Sequence, residues 1–160
     1  MSARWKKDAL DLHPDVVSIL IGTNDIHFYL DSLSHSSNMQ KPFDFPAWTR
    51  QYRLLLDQLL QQNPCVHIIL GIPFVAKEGK YGAMASYSMR EQMVKRLAEI
   101  VRDIARDYHL KTVEYDTMFR SLVQHEPRKG YWIWDGIHPT PAGHKRMSDL
   151  WIHTADEFIR

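Results

Sequence analysis

The chain has 160 residues, with 20 Lys and Arg against 19 Asp and Glu and a formal net charge of +1. This length predicts one domain, residues 1–160, that buries roughly two thirds of its unfolded surface. The balanced, interleaved charges give no electrostatic footprint for nucleic acid or an anionic membrane, so we expect neither as a partner. Every apolar run is shorter than the roughly 18 residues that a membrane-spanning helix needs.

The N-terminus and the cysteine content bear on the cellular compartment. Residues 1–10 lack the apolar core and cleavage site of a signal peptide and instead have the pattern of an amphipathic helix. The single cysteine, Cys65, excludes an intrachain disulfide and a cysteine-rich zinc cage. We therefore expect a cytoplasmic protein as far as this chain shows, although a segment upstream of it could carry a leader.

An apolar, β-branched run at residues 16–21 is the strongest local signal. A run of this kind between turn residues predicts a strand buried on both faces of a parallel sheet. The segment Gly22-Thr23-Asn24-Asp25 is predicted to turn at the carboxyl end of this strand, where open α/β sheets bind their ligands. Residues 26–46 are predicted to form a long irregular loop beside that site.

The rest of the chain alternates between helix and strand patterns. Helical periodicity covers residues 47–62, 88–108, 116–125 and 141–158, and strand-like apolar runs cover 66–70 and 111–115. Ser88 and Glu91 are spaced like a capping box, with a helix start one turn earlier as the alternative. Asp116 and Thr140 are placed to cap the last two helices. The alternation predicts an α/β fold, with a parallel sheet, helices on both faces and right-handed crossovers.

Two short clusters carry the candidate chemistry. In Asp135-Gly136-Ile137-His138, a tight turn at the glycine would bring the carboxylate onto the imidazole Nδ1, fix its tautomer and leave Nε2 as a general base. The amide of Asn24 is a donor for a developing oxyanion, a contribution of roughly 2.7–4 kcal/mol where measured. Each cluster alone is also compatible with an ordinary turn. Together they supply a base, its orienting acid and an oxyanion donor, but no nucleophile.

These clusters and their flanks resemble the SGNH hydrolase superfamily, also called GDSL esterases and lipases. Residues 22–25 match that family's third block and residues 135–138 its fifth, and the flanks at 14–21 and 139–144 are also typical of it. The resemblance extends over essentially the whole chain from Ala3 onward. It implies a three-layer α/β/α sandwich with flavodoxin-like strand order.

The resemblance also implies roles for individual residues. By it, His138 is the general base, Asp135 its orienting partner and Asn24 an oxyanion-hole donor, whereas Gly22 and Asp25 support the turn. The implied reaction is acyl transfer through a serine ester, which needs no cofactor or metal. The nine histidines lack the spacing and companions of a zinc site.

The chain departs from the family at the nucleophile. The first block, Gly-Asp-Ser, is absent, as are the second-block glycine and the Gly-x-Ser-x-Gly elbow of other α/β hydrolases. Ser18 lies inside the predicted strand, and the predicted polar loop holds Ser32, Ser34, Ser36 and Ser37. We therefore expect the C-terminal three quarters, approximately, of the family domain, without its first two strands and inactive by itself.

The strand at residues 16–21 would normally pair with the family's first strand, since the strand order is 2-1-3-4-5. Without that neighbour, an apolar strand becomes an open sheet edge, and such edges pair with other chains. The sequence therefore predicts self-association through the edge that runs from Val16 to Ile21.

The substrate is predicted only as a class. The family acts on acetylated carbohydrates, lysophospholipids, thioesters and simple acyl esters, and this chain has no wide apolar stretch that would indicate an interfacial lipase. We expect a small-molecule acyl ester, with acetylated carbohydrates as the leading hypothesis. Trp132, Trp134 and Phe28 are candidate substrate-binding residues, and packing against the terminal helix is the alternative for the two tryptophans.

Two other functions compete with an esterase. A non-catalytic remnant of the fold that recognises an acylated ligand would explain the missing nucleophile. A flavodoxin-like nucleotide or phosphate binder is disfavoured, because no glycine-rich phosphate loop follows a strand.

Overall fold

The computed structural model describes residues 2–35 and 41–159. Its elements in chain order are α1 (Ser2–Asp8), a 3₁₀ turn (Leu10–Leu12), β1 (Val16–Ile19), α2 (Thr23–His35), α3 (Phe45–Gln62), β2 (His67–Gly71), α4 (Gly79–Gly82), α5 (Tyr87–Asp107), β3 (Lys111–Val113), α6 (Tyr115–His125) and α7 (Pro141–Ile159). The three strands form one parallel sheet in the order β1-β2-β3. The predicted α/β class with a parallel sheet is confirmed.

Neighbouring residues of β2 point to opposite faces of the sheet, and helices pack against both faces. Ile68 and Leu70 belong to a core shared with α1, α2, α3 and α5. Ile69 belongs to a second core with Val113 of β3 and residues of α6 and α7. The result is a three-layer sandwich whose strands all end toward the same side.

The strand β1 pairs with β2 only, within the part of the chain that the structure describes. The backbone N–H of His67 donates to the carbonyl of Asp15 at 2.9 Å, so residues 15, 17 and 19 bond toward β2. Since backbone groups alternate in direction along a parallel strand, those of Val16 and Ser18 point to the other edge. Strand geometry stops at Ile19, two residues earlier than predicted.

The predicted loop at residues 26–46 is wrong over its first part, where α2 extends from Thr23 to His35. Ile26 and Leu30 are buried, Tyr29 and Leu33 are partly buried against the same core, and Phe28 is exposed. The inward-facing residues follow helical spacing over little more than two turns. Ser32 and Ser34 therefore lie in a helix, whereas Ser36 and Ser37 fall outside the described residues.

The predicted turn after β1 is also wrong in part. Gly22, with a φ of +118°, does turn the chain between β1 and α2. Asn24 and Asp25, however, lie in the first turn of α2. Asp25 therefore does not support a free turn, because the helix continues through it.

Two predicted helix caps differ from the structure. Ser88 is the second residue of α5 rather than its cap, so Ser88 and Glu91 form no capping box. Asp116 lies within the first turn of α6, where its carboxylate accepts the backbone N–H of Thr117 at 2.7 Å and a guanidinium N–H of Arg102 at 2.7 Å. An aspartate near a helix start is favourable at several positions, so spacing alone does not identify the cap.

Candidate active site

The carboxyl end of β1 is shaped by Gly22. A Cβ at this position would lie 3.1 Å from Leu97 Cδ1 and 3.4 Å from Trp48 Cζ2, and the φ of +118° is one that glycine adopts readily. The next residue, Thr23, donates its hydroxyl to the carbonyl of Phe74 at 2.9 Å and so ties the start of α2 to the segment after β2. Asn24, one position further on, is exposed at this edge of the sheet.

The loop before α7 closes on itself. Ile133 and Pro139 form an antiparallel bridge, the backbone N–H of Trp134 donates to the carbonyl of His138 at 3.2 Å, and that of Thr140 donates to the carbonyl of Trp132 at 3.0 Å. Because Ile133 is fully buried, the base of this loop is anchored in the second core. Its tip carries the Asp-x-x-His residues.

Asp135 and His138 form a directly bonded pair. The imidazole Nδ1 lies 2.7 Å from Oδ2 of Asp135, whose Oδ1 accepts the backbone N–H groups of Ile137 at 2.9 Å and of His138 at 2.8 Å. Burial opposes ionisation of Asp135, but these donors outweigh it and hold its pKa below the ordinary value. A carboxylate only accepts, so Nδ1 carries the imidazole proton and Nε2 is free to accept one.

A cavity of about 510 Å³ lies over the carboxyl end of β1 and is lined by both His138 and Asn24. Thr23, Phe28 and His144 line it as well. No serine is found among the described residues around it, and the Thr23 hydroxyl is already bonded to Phe74. The structure thus brings a base and an amide donor to one cavity, without a nucleophilic hydroxyl.

Of the three candidate substrate-binding aromatic residues, two are exposed near the cavity and one is packed against the core. Phe28 is 66% exposed and lines the cavity, and Trp134 is 59% exposed with its ring centroid 6.0 Å from the His138 imidazole. Trp132 packs against the second core, with the guanidinium of Arg146 5.7 Å from its ring centroid. Trp132 therefore packs against the terminal helix, the alternative that the sequence left open.

Sequence reasoning did not single out His144, which lines the cavity from the first turn of α7. The available signal was its position, six residues after His138 and at the start of a helix that follows the same loop. No group of three or more His, Cys, Asp or Glu side chains could hold a metal ion, as far as residues 2–35 and 41–159 show. Within these ranges, no helix is long and apolar enough to span a membrane.

Comparison with known proteins identifies the family. Residues 1–146 match the GDSL-like lipase/acylhydrolase family. The acetylxylan esterase of Geobacillus stearothermophilus is 25% identical in an alignment 160 residues long, which covers 95% of this chain and 64% of that protein. The chain therefore spans less than two thirds of that esterase.

Solved structures agree in fold. A protein of Parabacteroides merdae described as a GDSL-like lipase superposes with a TM-score of 0.79 at 28% identity, covering 97% of this chain and 66% of the other. A variant of the Geobacillus esterase superposes with a TM-score of 0.75 at 25% identity, covering 96% and 65%. Catalytic mutants of that esterase change an aspartate, a histidine three positions after it and a serine. The chain belongs to the GDSL-like lipase/acylhydrolase family, within the SGNH hydrolase superfamily that its motifs predict.

Proposed function

We propose that this chain is the base-bearing part of a single SGNH esterase domain that hydrolyses small acyl esters. The observation that carries the proposal is the 2.7 Å contact between Asp135 and His138, at a cavity that Asn24 also lines. The spacing of Asp135 and His138 is that of the catalytic aspartate and histidine of the Geobacillus esterase. The nucleophilic serine is assigned to a segment that this chain lacks.

In the proposed reaction, His138 Nε2 takes the proton of the serine hydroxyl as the oxygen attacks the ester carbonyl. The Asn24 amide donates to the oxyanion that forms. The imidazolium then protonates the leaving alcohol, and water, deprotonated by the same Nε2, releases the acid from the acyl-serine. Asp135 remains ionised throughout, fixing the ring and stabilising its positive charge.

The proposed substrates are small acyl esters, with acetyl esters of carbohydrates as the leading class. Two observations support this class. The relative from Geobacillus is an acetylxylan esterase. The rings of Phe28 and Trp134 are exposed beside the base, where an aromatic face is available to stack on a sugar ring.

The test is a chimera in which the segment of the Geobacillus esterase that precedes its matched region is fused ahead of this chain. We expect turnover of p-nitrophenyl acetate and of acetylated xylo-oligosaccharides, lost on His138→Ala and on alanine substitution of the donated serine. His153→Ala, at an exposed position of α7, is the matched control that keeps activity. A folded chimera without turnover contradicts the proposal, and strong preference for long-chain esters contradicts the substrate class.

A non-catalytic binding module is the second candidate. It is favoured by one observation, namely that no serine lines the cavity in the described part of the chain. A binding module would retain acetylated xylobiose without hydrolysing it, and NMR titration of the 160-residue chain measures this directly. Binding by the chain together with an inactive, folded chimera would favour the module over the esterase.

A further inference from the structure

The first observation concerns Arg90, the fourth residue of α5. Its side chain is fully buried, with 1% of the residue exposed. Its Nε has no hydrogen-bond partner among the described residues. Enclosing a guanidinium is costly unless its contacts do something for the fold or the site.

The contacts of Arg90 converge on one segment, residues 79–84. Its Nη1 donates to the carbonyl of Tyr81 at 3.4 Å, and both Nη atoms lie 3.8 Å from the sulfur of Met84. The guanidinium also lies 5.2 Å from the centroid of the Tyr81 ring, within the range of a cation–π contact. Arg90 thus anchors this segment to the start of α5.

The same segment touches the backbone of the loop before α7, which carries Asp135 and His138. The N–H of Tyr81 donates to the carbonyl of Asp135 at 2.9 Å. A Cβ on Gly79 would lie 2.2 Å from the carbonyl oxygen of Trp134 and 2.7 Å from the Cα of Asp135, so the two backbones are already in close contact. The segment and the backbone around Asp135 are therefore packed directly against each other.

Neighbouring contacts reinforce this link from the residues just before the segment. The N–H of Ala76 donates to the carbonyl of Gly136 at 2.9 Å, and the carboxylate of Glu78 accepts the N–H of Gly130 at 2.8 Å. A Cβ on Gly136 would lie 2.7 Å from the carbonyl oxygen of Glu78. Residues 76–84 therefore pack against, and are hydrogen-bonded to, the loop that carries Asp135 and His138.

We propose that Arg90 is a positioning residue for the Asp135–His138 pair, acting through Tyr81 and Met84. The guanidinium suits this role because it spreads several donors over a plane, whereas the ammonium of lysine is a compact point charge. This proposal takes from the proposed function only the catalytic role of the pair. The effect of Arg90 on the bond between Asp135 and the imidazole does not depend on that role.

The test reads the tautomer of His138, which a merely structural role of Arg90 would not change. The 160-residue chain is labelled with ¹⁵N-histidine, and imidazole nitrogen shifts are recorded for wild type, Arg90→Met and Arg90→Lys. In wild type we expect the Nδ1–H form to dominate the neutral imidazole. In Arg90→Met we expect it to fall to about half or less, because Asp135 no longer selects it, with Arg90→Lys in between.

Arg96→Met is the matched control, since its side chain lies on the same helix and is 59% exposed. It should leave the His138 spectrum unchanged. Folded Arg90→Met or Arg90→Lys proteins with a wild-type His138 spectrum would overturn the proposal, even with a lowered denaturation midpoint. If both fail to fold, Met84→Ala, at a 38% exposed position, perturbs the same contact and decides by the same spectrum.

The two proposals fail separately. In an active chimera, Arg90→Lys should lower kcat and leave KM within about twofold, because substrate contacts are unchanged. An inactive chimera with the expected tautomer change in the Arg90 variants would refute the esterase and leave the positioning role intact. An active chimera with an unchanged His138 tautomer in the Arg90 variants would support the esterase and refute the positioning role.

Discussion

Oδ2 of Asp135 lies 2.7 Å from the imidazole Nδ1 of His138, and Oδ1 of the same carboxylate accepts the backbone N–H of His138 at 2.8 Å. One side chain thus orients both the ring and the peptide that carries it. The Asp135 side chain is 5% exposed and that of His138 is 58% exposed, so the acid is enclosed and the base is open to the cavity. Both bonds lie within one loop, and substitution of Asp135 or of the residues that hold this loop should change the tautomer of His138.

Asp135→Asn is expected to reverse the tautomer of His138. An amide can donate as well as accept, so the imidazole no longer has to present N–H at Nδ1. In serine-hydrolase triads the equivalent change costs about 10⁴ in kcat, and we expect a loss of that order in the active chimera. Imidazole ¹⁵N shifts measure the first effect and p-nitrophenyl acetate turnover the second.

Asp149→Asn is the control for that substitution, because Asp149 is an exposed carboxylate that pairs with Lys145 on α7. It should leave both the spectrum and the rate unchanged. A His138 spectrum that does not respond to Asp135→Asn would show that the carboxylate does not select the tautomer.

The lowered pKa of Asp135 predicts a loss of stability in acid. The unfolded chain protonates this carboxyl near 3.8, and the folded protein does so only at lower pH. Its contribution to the free energy of unfolding is therefore complete above about pH 5 and is lost as the pH falls through the folded pKa. Urea denaturation from pH 7 to pH 3 should show a steeper decline for wild type than for Asp135→Asn, and equal slopes would contradict this.

His27 predicts a second pH effect at a higher range. Burial, together with Arg90, Lys80 and His138, lowers its pKa, and Asp31 opposes the shift. The unfolded chain then takes up a proton near 6.5 while the folded protein does not, so stability is greatest above that pH and declines as the pH falls toward the folded pKa. The ring of Tyr81 lies edge-on to this imidazole, with 4.9 Å between the ring centroids.

Replacing His27 with Gln should remove this decline between pH 7.5 and 5. The readout is the urea midpoint at each pH, with an NMR titration of the imidazole in wild type. His153→Gln, on the exposed side of α7, is the control and should follow the wild-type curve. A wild-type imidazole that titrates at or above 6.5 would contradict the prediction.

The two tryptophans of the loop before α7 offer a matched pair. Trp134→Ala removes an exposed ring beside His138, and we expect it to weaken binding of acetylated xylobiose about fivefold with little change in stability. Trp132→Ala removes a ring packed against the second core and should lower the denaturation midpoint instead. NMR titration and urea denaturation of both variants separate the outcomes, and equal binding losses would remove Trp134 from the substrate site.

The parts of the fold that the sequence could predict are those whose hydrophobic pattern lies within a short, continuous segment. The strands are compact apolar runs, and most helices have wide apolar stripes. The stripe of α2 that packs on the core is centred on Ile26, Leu30 and Leu33, and the aromatic residues Phe28 and Tyr29 lie between them, so the helical period is weak in the sequence. The Asp135–His138 contact could be predicted because a three-residue spacing with a glycine permits few other arrangements.

What sequence could not show depends on residues far apart in the chain. Tyr81 is joined to Asp135 through backbone atoms, and the glycines that this packing requires, Gly79 and Gly136, do not identify in the sequence what packs against them. The buried position of Arg90 is equally invisible, because arginine on a helix usually faces solvent. Trp132 and Trp134 are two residues apart and point to different surroundings, and only the bridged geometry of the loop decides which one is exposed.

The edge of β1 that faces away from β2, which no strand of the described residues covers, leads to the last prediction, on association. Val16 and Ser18 direct backbone groups away from β2, and the edge has no charge of its own between Val16 and Ile19. Such an edge pairs with a second copy, so the sedimentation coefficient of the 160-residue chain should rise with concentration. Val16→Pro removes only a donor at the open edge and should suppress association with the fold retained, whereas Val17→Pro removes a bond to β2 and should unfold the chain. A wild-type chain that stays monomeric at high concentration would contradict pairing through this edge.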